Sequence, residues 1–534
     1  MRLTVLFLLA PWFALWAQTP NADDLVWQRA VGKFDAKRAA IIQQVDAGDQ
    51  AGPFQPAWDS LEHYQVPQWY EDAKFGIFIH WGVYSVPAFG SEWYPRLMYQ
   101  QGTPEFRHHV ATYGPQSKFG YKDFVPMFKA EKFDPQAWAE LFRAAGAKYV
   151  MPVAEHHDGF AMYDSDLTDW CAAKMGPHRD LIGDLAKAVR AEGLHFGVST
   201  HRAEHFFFMN GGRTFDSDVR DPKFAAFYGP ANVRPTDMHD GHHWRGGGPF
   251  PGYLDDWLAR DTELVEKYQP EVIFFDWWIE QPEFQTYLRR FAAFYYNDAA
   301  RRGGTAAIDY KWNAFPRSAA VLDIERGQLD KPDPQFWQTD TSVSVRSWGY
   351  IDNDTYRPAE SLIRQLVDIV SKNGTLLLNI GPQSDGTIPE QEQKILRDMG
   401  RWLSVNGEAI YGTRPWKIYG EGPTKVVGGS FNDTATQPYT SQDIRFTTKG
   451  DVLYAIALGW PNTGEVTVKS LAEGAAADLG RITNVQLVGS QAEVKWTRSA
   501  DGLHLSLPAA KTGEYAWVFR IGHSAESGLG GRLP

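Results

Sequence analysis

Eight short apolar runs recur between residues 75 and 381, and most are followed by a stretch with the spacing of an amphipathic helix. The runs fall at residues 75–82, 149–159, 195–201, 271–278, 305–312, 319–324, 336–344 and 375–381. The run at 271–278, EVIFFDWW, shows the type: Val272, Ile273, Phe274 and Phe275 are all apolar, as a strand buried on both faces requires. Helical spacing intervenes at 134–146, 180–192, 253–268, 284–300, 358–371 and 389–405. The first of these helices carries its own start and stop signals. Asp134 and Pro135 make an N-cap and first-turn pair, Trp138, Leu141, Phe142 and Ala145 follow, and Gly146 closes it. Strands alternating with helices eight times over predict an α/β fold, a (β/α)₈ or TIM-like barrel, across residues 63–415. No clear helix separates the fifth and sixth strands.

Beyond Trp416 the pattern changes. Short runs at 443–447, 452–458, 465–468, 485–488, 493–496, 503–507 and 515–521 are divided by Gly, Asn-Asp and Asp-Gly turns. They predict an antiparallel β-sandwich over 416–524, bracing the barrel and carrying no catalytic constellation, with a tail at 525–534. Residues 18–62 form a polar leader, helical near 37–45 and loosely joined through Gly-Pro and Gln-Pro steps.

The barrel strands end in polar side chains. His80, His156, His157, His201, Asp276, Lys311, Glu325 and Asp340 all fall at strand C-termini, the face on which such barrels build active sites. Asp276 is costly to bury unless it is paired or has chemistry to do. A helix-capping or ion-paired aspartate explains it alone; the convergence of strand ends favours a catalytic carboxylate in an aromatic pocket, with Trp278 part of the wall. Asp276 and Glu325 supply the two carboxylates that glycosidic hydrolysis needs, one to attack or activate water and one to protonate the leaving oxygen. Arg326 beside Glu325 favours its ionised form, while burial raises its pKa. His156 and His157 are adjacent, so on a strand they would face opposite sides, and no HExxH spacing supports a metal. Hydrogen bonding to substrate hydroxyls suits these imidazoles better, and neither metal nor cofactor is expected. Asp164-Ser165-Asp166 and Asp216-Ser217-Asp218 lack the remainder of a calcium loop and predict solvated turns. The long loop at 213–250 is expected to shape the side of the site that receives the leaving group.

A formal charge of −12 with no long basic run excludes nucleic acid as a natural partner. Residues 1–17 have one basic residue, an apolar stretch and Ala17, the pattern of a secretory signal peptide. An exported protein is expected, in a periplasm, the extracellular space or a lysosome-like lumen. No other stretch is long enough to predict a membrane span. The one cysteine, Cys171, excludes an intrachain disulfide. The 21 tryptophans suit sugar stacking as well as core packing.

Seven segments carry a family resemblance. FGIFIHWGVYSVPA (75–88), SEWY (91–94), EHHDGF (155–160), IFFDWW (273–278), DIERG (323–327), SWGY (347–350) and LLLNIGPQSDGTIP (376–389) closely resemble the α-L-fucosidases of glycoside hydrolase family 29. The resemblance implies a barrel followed by a β-sandwich, and hydrolysis of terminal α-L-fucosyl residues from glycans or glycoconjugates with retention of configuration. It makes Asp276 the nucleophile, and His80, Glu92, Trp93, His156 and His157 the groups that hold fucose. The acid/base residue lies after the fifth strand; Glu325 is preferred to Glu280 and Glu283, which follow Asp276 too closely. Three positions depart from the family. Trp277 follows Asp276 where Gly or Met is often found, Lys311 stands where an arginine is often found, and His201 where a tyrosine is; the last two are expected to touch substrate. A glycosidase for a related sugar, such as an α-L-galactoside, and a catalytically silent glycan-binding protein are the alternatives.

Overall fold

The computed structural model describes residues 19–232, 248–475, 479–508, 511 and 513–524. The signal-peptide expectation at 1–17 and the tail at 525–534 lie outside the described residues. Eight parallel strands close into a barrel in chain order. They are β1 (Phe75–Ile79), β2 (Tyr149–Glu155), β3 (His195–Thr200), β4 (Val272–Phe275), β5 (Ala307–Tyr310), β6 (Val321–Asp323), β7 (Trp337–Ser342) and β8 (Gly374–Ile380). Closure is made by β1 against β8, with Phe75 opposite Leu376 and Ile79 opposite Ile380. β5 and β6 are joined by an irregular segment without a helix, as the sequence implies.

Alternation along each strand sorts the side chains. On β4, Val272 and Phe274 belong to the cluster inside the barrel, while Ile273 and Phe275 pack outward beneath the helices. The helix Pro135–Ala144 begins as expected, with the Asp134 carboxylate accepting the backbone N–H groups of Gln136 and Ala137. Gly146 takes φ +88°, and a Cβ there would lie 2.7 Å from the Tyr411 hydroxyl, so the helix exit needs glycine twice over.

The leader is not loosely attached. Asn21 and Asp24 form a reciprocal capping box that starts a helix at Ala22–Val31, and a second helix spans Asp35–Gly48. Trp27 is buried against Tyr253, ring centroids 5.3 Å apart, and Arg38 pairs with Asp256 at 2.8 Å. The Asn297 side chain donates to the carbonyls of Gly48 and Phe54 and accepts the Phe54 N–H, which pins the Gly-Pro segment. Gly and Pro marked a turn there, not a loose joint.

The C-terminal unit has a five-stranded sheet, β13-β16-β11-β10-β9, and a three-stranded sheet, β12-β15-β14. These are β9 (Arg414–Glu421), β10 (Ile444–Lys449), β11 (Val452–Ala457), β12 (Glu465–Val468), β13 (Arg481–Leu487), β14 (Lys495–Ser499), β15 (Gly502–Ser506) and β16 (Trp517–Ser524). Phe446 and Leu453 from the larger sheet share one core with Val468 and Leu503 from the smaller. Tyr454 and Ile456, on the larger sheet's other face, join the core of the barrel. Arg445 and Lys372 both pair with the fully buried Asp368 across the same junction. No helix among the described residues is long and apolar enough to cross a membrane.

The two acidic turns are not uniformly solvated. Ser165 is buried and donates to Glu263 at 2.7 Å. Asp218 is buried and accepts the hydroxyls of Tyr99 and Tyr228. Glu263 and Tyr99 come from distant segments, so the local run of Asp and Ser could not reveal them.

Candidate active site

The alternation that puts Phe274 inside the barrel puts Asp276 there too, one step up at the mouth. The same rule carries Phe78 to His80, Ser199 to His201, Asp309 to Lys311, Gln338 to Asp340 and Leu377 to Asn379. All of these but Asn379, which lies beneath His80, floor a cavity of about 530 Å³, within the roughly 300–1,000 Å³ usual for small-molecule sites.

Lys311 is its electrostatic centre. Its Nζ lies 2.8 Å from Asp276 Oδ1, 2.8 Å from Glu325 Oε2 and 3.5 Å from Asp340 Oδ2. Burial alone would discharge it, but these carboxylates hold it firmly protonated. Because one nitrogen touches both, the Asp276 and Glu325 oxygens lie no more than twice 2.8 Å apart, about 5.6 Å.

The two carboxyls are driven in opposite directions. Burial by itself would raise Asp276; Lys311 first, and then His201, overturn this and hold it well below the usual carboxylate range. Its Oδ2 is 3.1 Å from His201 Nδ1 and 3.4 Å from His157 Nε2. Glu325 is pushed up to about 7, chiefly by burial, with Lys311 opposing and the charges of Asp340 and Asp276 adding. Its side chain is 14 % exposed, towards the cavity. Burial therefore prevails, and the cation beside Glu325 is Lys311. Arg326 turns away, its guanidinium 4.6 Å over the Trp348 ring and its Nη2 donating to the Ser347 carbonyl.

The imidazoles are held as neutral rings. Burial pushes His80, His156 and His157 down, His157 to about 3. Asn379 Nδ2 donates to the Trp348 carbonyl, so its Oδ1 is the acceptor for His80 Nδ1 at 2.7 Å. His80 Nε2 is left as an acceptor. His157 Nδ1 likewise donates to the His201 carbonyl at 3.1 Å. His201 Nε2 lies 2.9 Å from the Ser199 hydroxyl, which turns His201 Nδ1 to Asp276 as the donor to that carboxylate.

His156 and His157 correct one expectation. Both line the cavity, ring centroids 4.2 Å apart. Strand β2 ends at Glu155, with a register shift against β3 between Val153 and Glu155, so strict alternation stops before the two histidines. The shift sends Glu155 outward to Arg202 and Arg260. Donor atoms of His80, His156 and His201 lie within 4.8 Å of one another, as do those of His157, His201 and Asp276. These are the described residues that could hold a metal ion; the Lys311 ammonium beside them disfavours a second cation, and the neutral rings suit hydroxyl groups.

Glu92 is buried, its Oε2 accepting the Trp348 N–H at 2.8 Å and the Ser347 hydroxyl at 3.0 Å. Trp93 packs edge-on to His157 and Phe208. Trp278 does not line the cavity. It is buried against Phe206 and Phe207, and Trp277 faces the cavity instead. Trp278 has φ +78°, a turn after the strand end that alternation does not anticipate. Glu280 and Glu283 are also absent from the cavity wall. The described part of the 213–250 loop does not line it either; Arg213 pairs with Asp23 of the leader at 3.2 Å.

Other wall residues went unforeseen. Trp348 stacks on His80, centroids 5.1 Å apart. Phe431, Asp433 and Thr434, from the connection between β9 and β10, complete the rim. The backbone N–H groups of Gly429, Phe431 and Asp433 donate to the carbonyls of Gln328, Glu325 and Arg326 at 2.8–2.9 Å. The Asp433 carboxylate accepts from the Thr341 hydroxyl at 2.5 Å and lies 3.3 Å from Arg357. A Cβ on Gly327 would lie 2.0 Å from the Gly429 carbonyl oxygen, so this ladder closes only over glycine. The C-terminal unit thus walls the site as well as bracing the barrel. No local periodicity marks these residues, because their partners are about a hundred positions away.

The alpha-L-fucosidase family profile matches residues 41–408, and the alpha-L-fucosidase C-terminal domain profile matches residues 432–522. The tissue alpha-L-fucosidase of Homo sapiens is 32% identical over 491 residues, 88% of this chain and 91% of the relative. The plasma alpha-L-fucosidase of Homo sapiens is 34% identical over 466 residues, 85% of this chain and 88% of the relative. A crystal structure of Thermotoga maritima alpha-fucosidase with a mechanism-based inhibitor is similar at a TM-score of 0.70 and 31% identity, covering 88% of this chain and 100% of that one.

Proposed function

Because the chain belongs to the alpha-L-fucosidase family of glycoside hydrolases, family 29, a retaining family, we propose that it removes terminal α-L-fucosyl residues by double displacement, with Asp276 as nucleophile and Glu325 as acid/base. The observation that carries this is Lys311 set between the two carboxylates. It keeps their nearest oxygens within about 5.6 Å of one another, consistent with the close pair of carboxyls that a retaining site uses.

The charge states follow the roles. Asp276, ionised, attacks the anomeric carbon as the glycosidic C–O bond breaks, and Glu325, protonated, gives its proton to the departing oxygen. Glu325 then takes a proton from water, whose oxygen attacks the same carbon and releases Asp276. The neutral rings of His80, His156 and His157, with Glu92, meet the sugar hydroxyls, and Trp93 meets its apolar face. The natural substrate is a fucosylated oligosaccharide or glycoconjugate outside the cytoplasm, the compartment that the residues 1–17 pattern supports.

Azide with an activated aryl fucoside tests both roles by stereochemistry. Asp276→Gly loses turnover on the order of 10⁴–10⁶-fold, and azide entering the vacated face gives β-L-fucosyl azide. Glu325→Gln forms the fucosyl-enzyme, and azide releases it as α-L-fucosyl azide. The opposite anomers, or an aryl fucoside untouched by the wild type, would sink the assignment.

A further inference from the structure

Among the described residues, eight large hydrophobic side chains are exposed, and three of them crowd the rim of this one cavity: Phe431 at 61 %, Trp312 at 42 % and Val345 at 42 %. The rest of the site reverses this character. Its floor is charged or imidazole and almost fully buried. Trp312 and Phe431 both take positive φ, +59° and +61°, unusual for aromatic residues. At Phe431 that backbone is fixed by its N–H donating to the Glu325 carbonyl, and both residues line the cavity, Glu325 being the one that would protonate the leaving oxygen. The charged groups at the rim are already engaged: Arg326 lies over Trp348, Arg346 pairs with Asp354 at 3.6 Å, and Asp433 binds Thr341 and Arg357.

We propose that Phe431 and Trp312 form a binding subsite for the sugar to which fucose is attached, a neutral pyranose, hexose or N-acetylhexosamine, whose apolar face lies on these rings. The C-terminal unit then selects the leaving group while the barrel selects the fucose. The inference rests on the fucosidase reading. An uncharged ring is implied because no unpaired charge at the rim, among the described residues, is aimed at it, and stacking is implied because the rim is aromatic and wet. The glycosidic oxygen would sit at Glu325, and the next ring outward meets Phe431 and Trp312.

The test compares α-L-fucosyl fluoride, which has no leaving-group ring, with fucosyl disaccharides carrying fucose on each hydroxyl of galactose and of N-acetylglucosamine. In Phe431→Ala the ratio of kcat/KM on the best disaccharide to that on the fluoride falls about three- to tenfold, mostly through KM, and Phe431→Tyr restores it. The alkaline limb of the pH profile stays at its wild-type position. An unchanged ratio in Phe431→Ala, or wild-type turnover of the fluoride with none of any disaccharide, overturns the subsite alone. A ratio that falls together with a displaced alkaline limb also overturns it, by showing that Phe431 acts through Glu325. Wild-type inertness towards the fluoride overturns the fucosidase reading and the subsite with it.

Discussion

Asp276 and Glu325 lie against the same lysine, yet they are held by different kinds of structure. Asp276 ends a strand that is buried on both faces and paired on both sides, by β3 and β5. Behind the neighbouring strand ends lies a fully buried ionic network. Glu155 binds Arg202 and Arg260, and Asp256 binds Arg202 and Arg38, which joins β2, a barrel helix and the leader. Glu325 follows β6, a strand of only three residues, and its backbone is fixed from outside the barrel, by the ladder to Gly429, Phe431 and Asp433. Asp276, the proposed nucleophile, is thus a product of the barrel. Glu325, the proposed acid/base residue, is placed jointly by the barrel and a second folding unit. A group that must stay ionised gains from rigid, fully satisfied surroundings; one that must exchange a proton with solvent suits a looser, partly open strand end.

Removing the barrel-side support should have the largest effect. Glu155→Ala strands two buried guanidinium groups, and stability should fall by about 3–5 kcal/mol in denaturant titration, with fluoride and aryl fucoside turnover lost together on warming. A loss under 1 kcal/mol would mean that the network does not underpin the nucleophile's side. Lys311→Met strikes both carboxylates at once. The expected loss in kcat is on the order of 10²–10³-fold. Lys311 lowers both pKa values, so both limbs of the pH profile should move upward without it. Limbs that stay in place would show that Lys311 does not couple the pair.

Gly327→Ala separates the two supports. Its Cβ collides with the Gly429 carbonyl and pushes the ladder off Glu325. Turnover of fucosides with poor leaving groups should fall about 10–100-fold, while fucosyl fluoride, which needs no proton, loses far less. Equal losses on both would mean that the ladder supports the nucleophile too. The mildest test is the wild-type pH profile. In its proposed role Glu325 acts protonated, and its pKa is raised to about 7, so kcat/KM should fall tenfold per unit as pH rises past about 7. Asp276 is held below the ordinary carboxylate range, so the acid limb should lie below that range as well. An alkaline limb near pH 4–5 would remove Glu325 from its role.

These contrasts follow how the residues could be inferred. His80, His201, Asp276, Lys311 and Asp340 were legible as polar ends of apolar strands, and each points inward because it lies two positions beyond an interior residue, an alternation set by local covalent geometry. The same rule failed where the strand stopped. It put His156 and His157 on opposite faces, whereas a register shift brings both in; and Trp278, expected in the wall, is replaced there by Trp277 after a turn of positive φ. The leader was legible as helix near Ile41 and Val45, but not as a packed part of the barrel, because its partners Asp256 and Asn297 lie more than 200 residues away.

The sequence by itself determined the eight strands and their order, and it marked Asp276 and Glu325 as carboxylates at strand ends, since each depends on a few neighbouring residues and on the cost of burying charge. Only the tertiary structure decided which way each carboxyl is driven, that Lys311 joins them, and that Phe431 and Asp433 reach the site. Those outcomes depend on distances between segments that closure of the barrel and docking of the C-terminal unit create, and no local pattern encodes them.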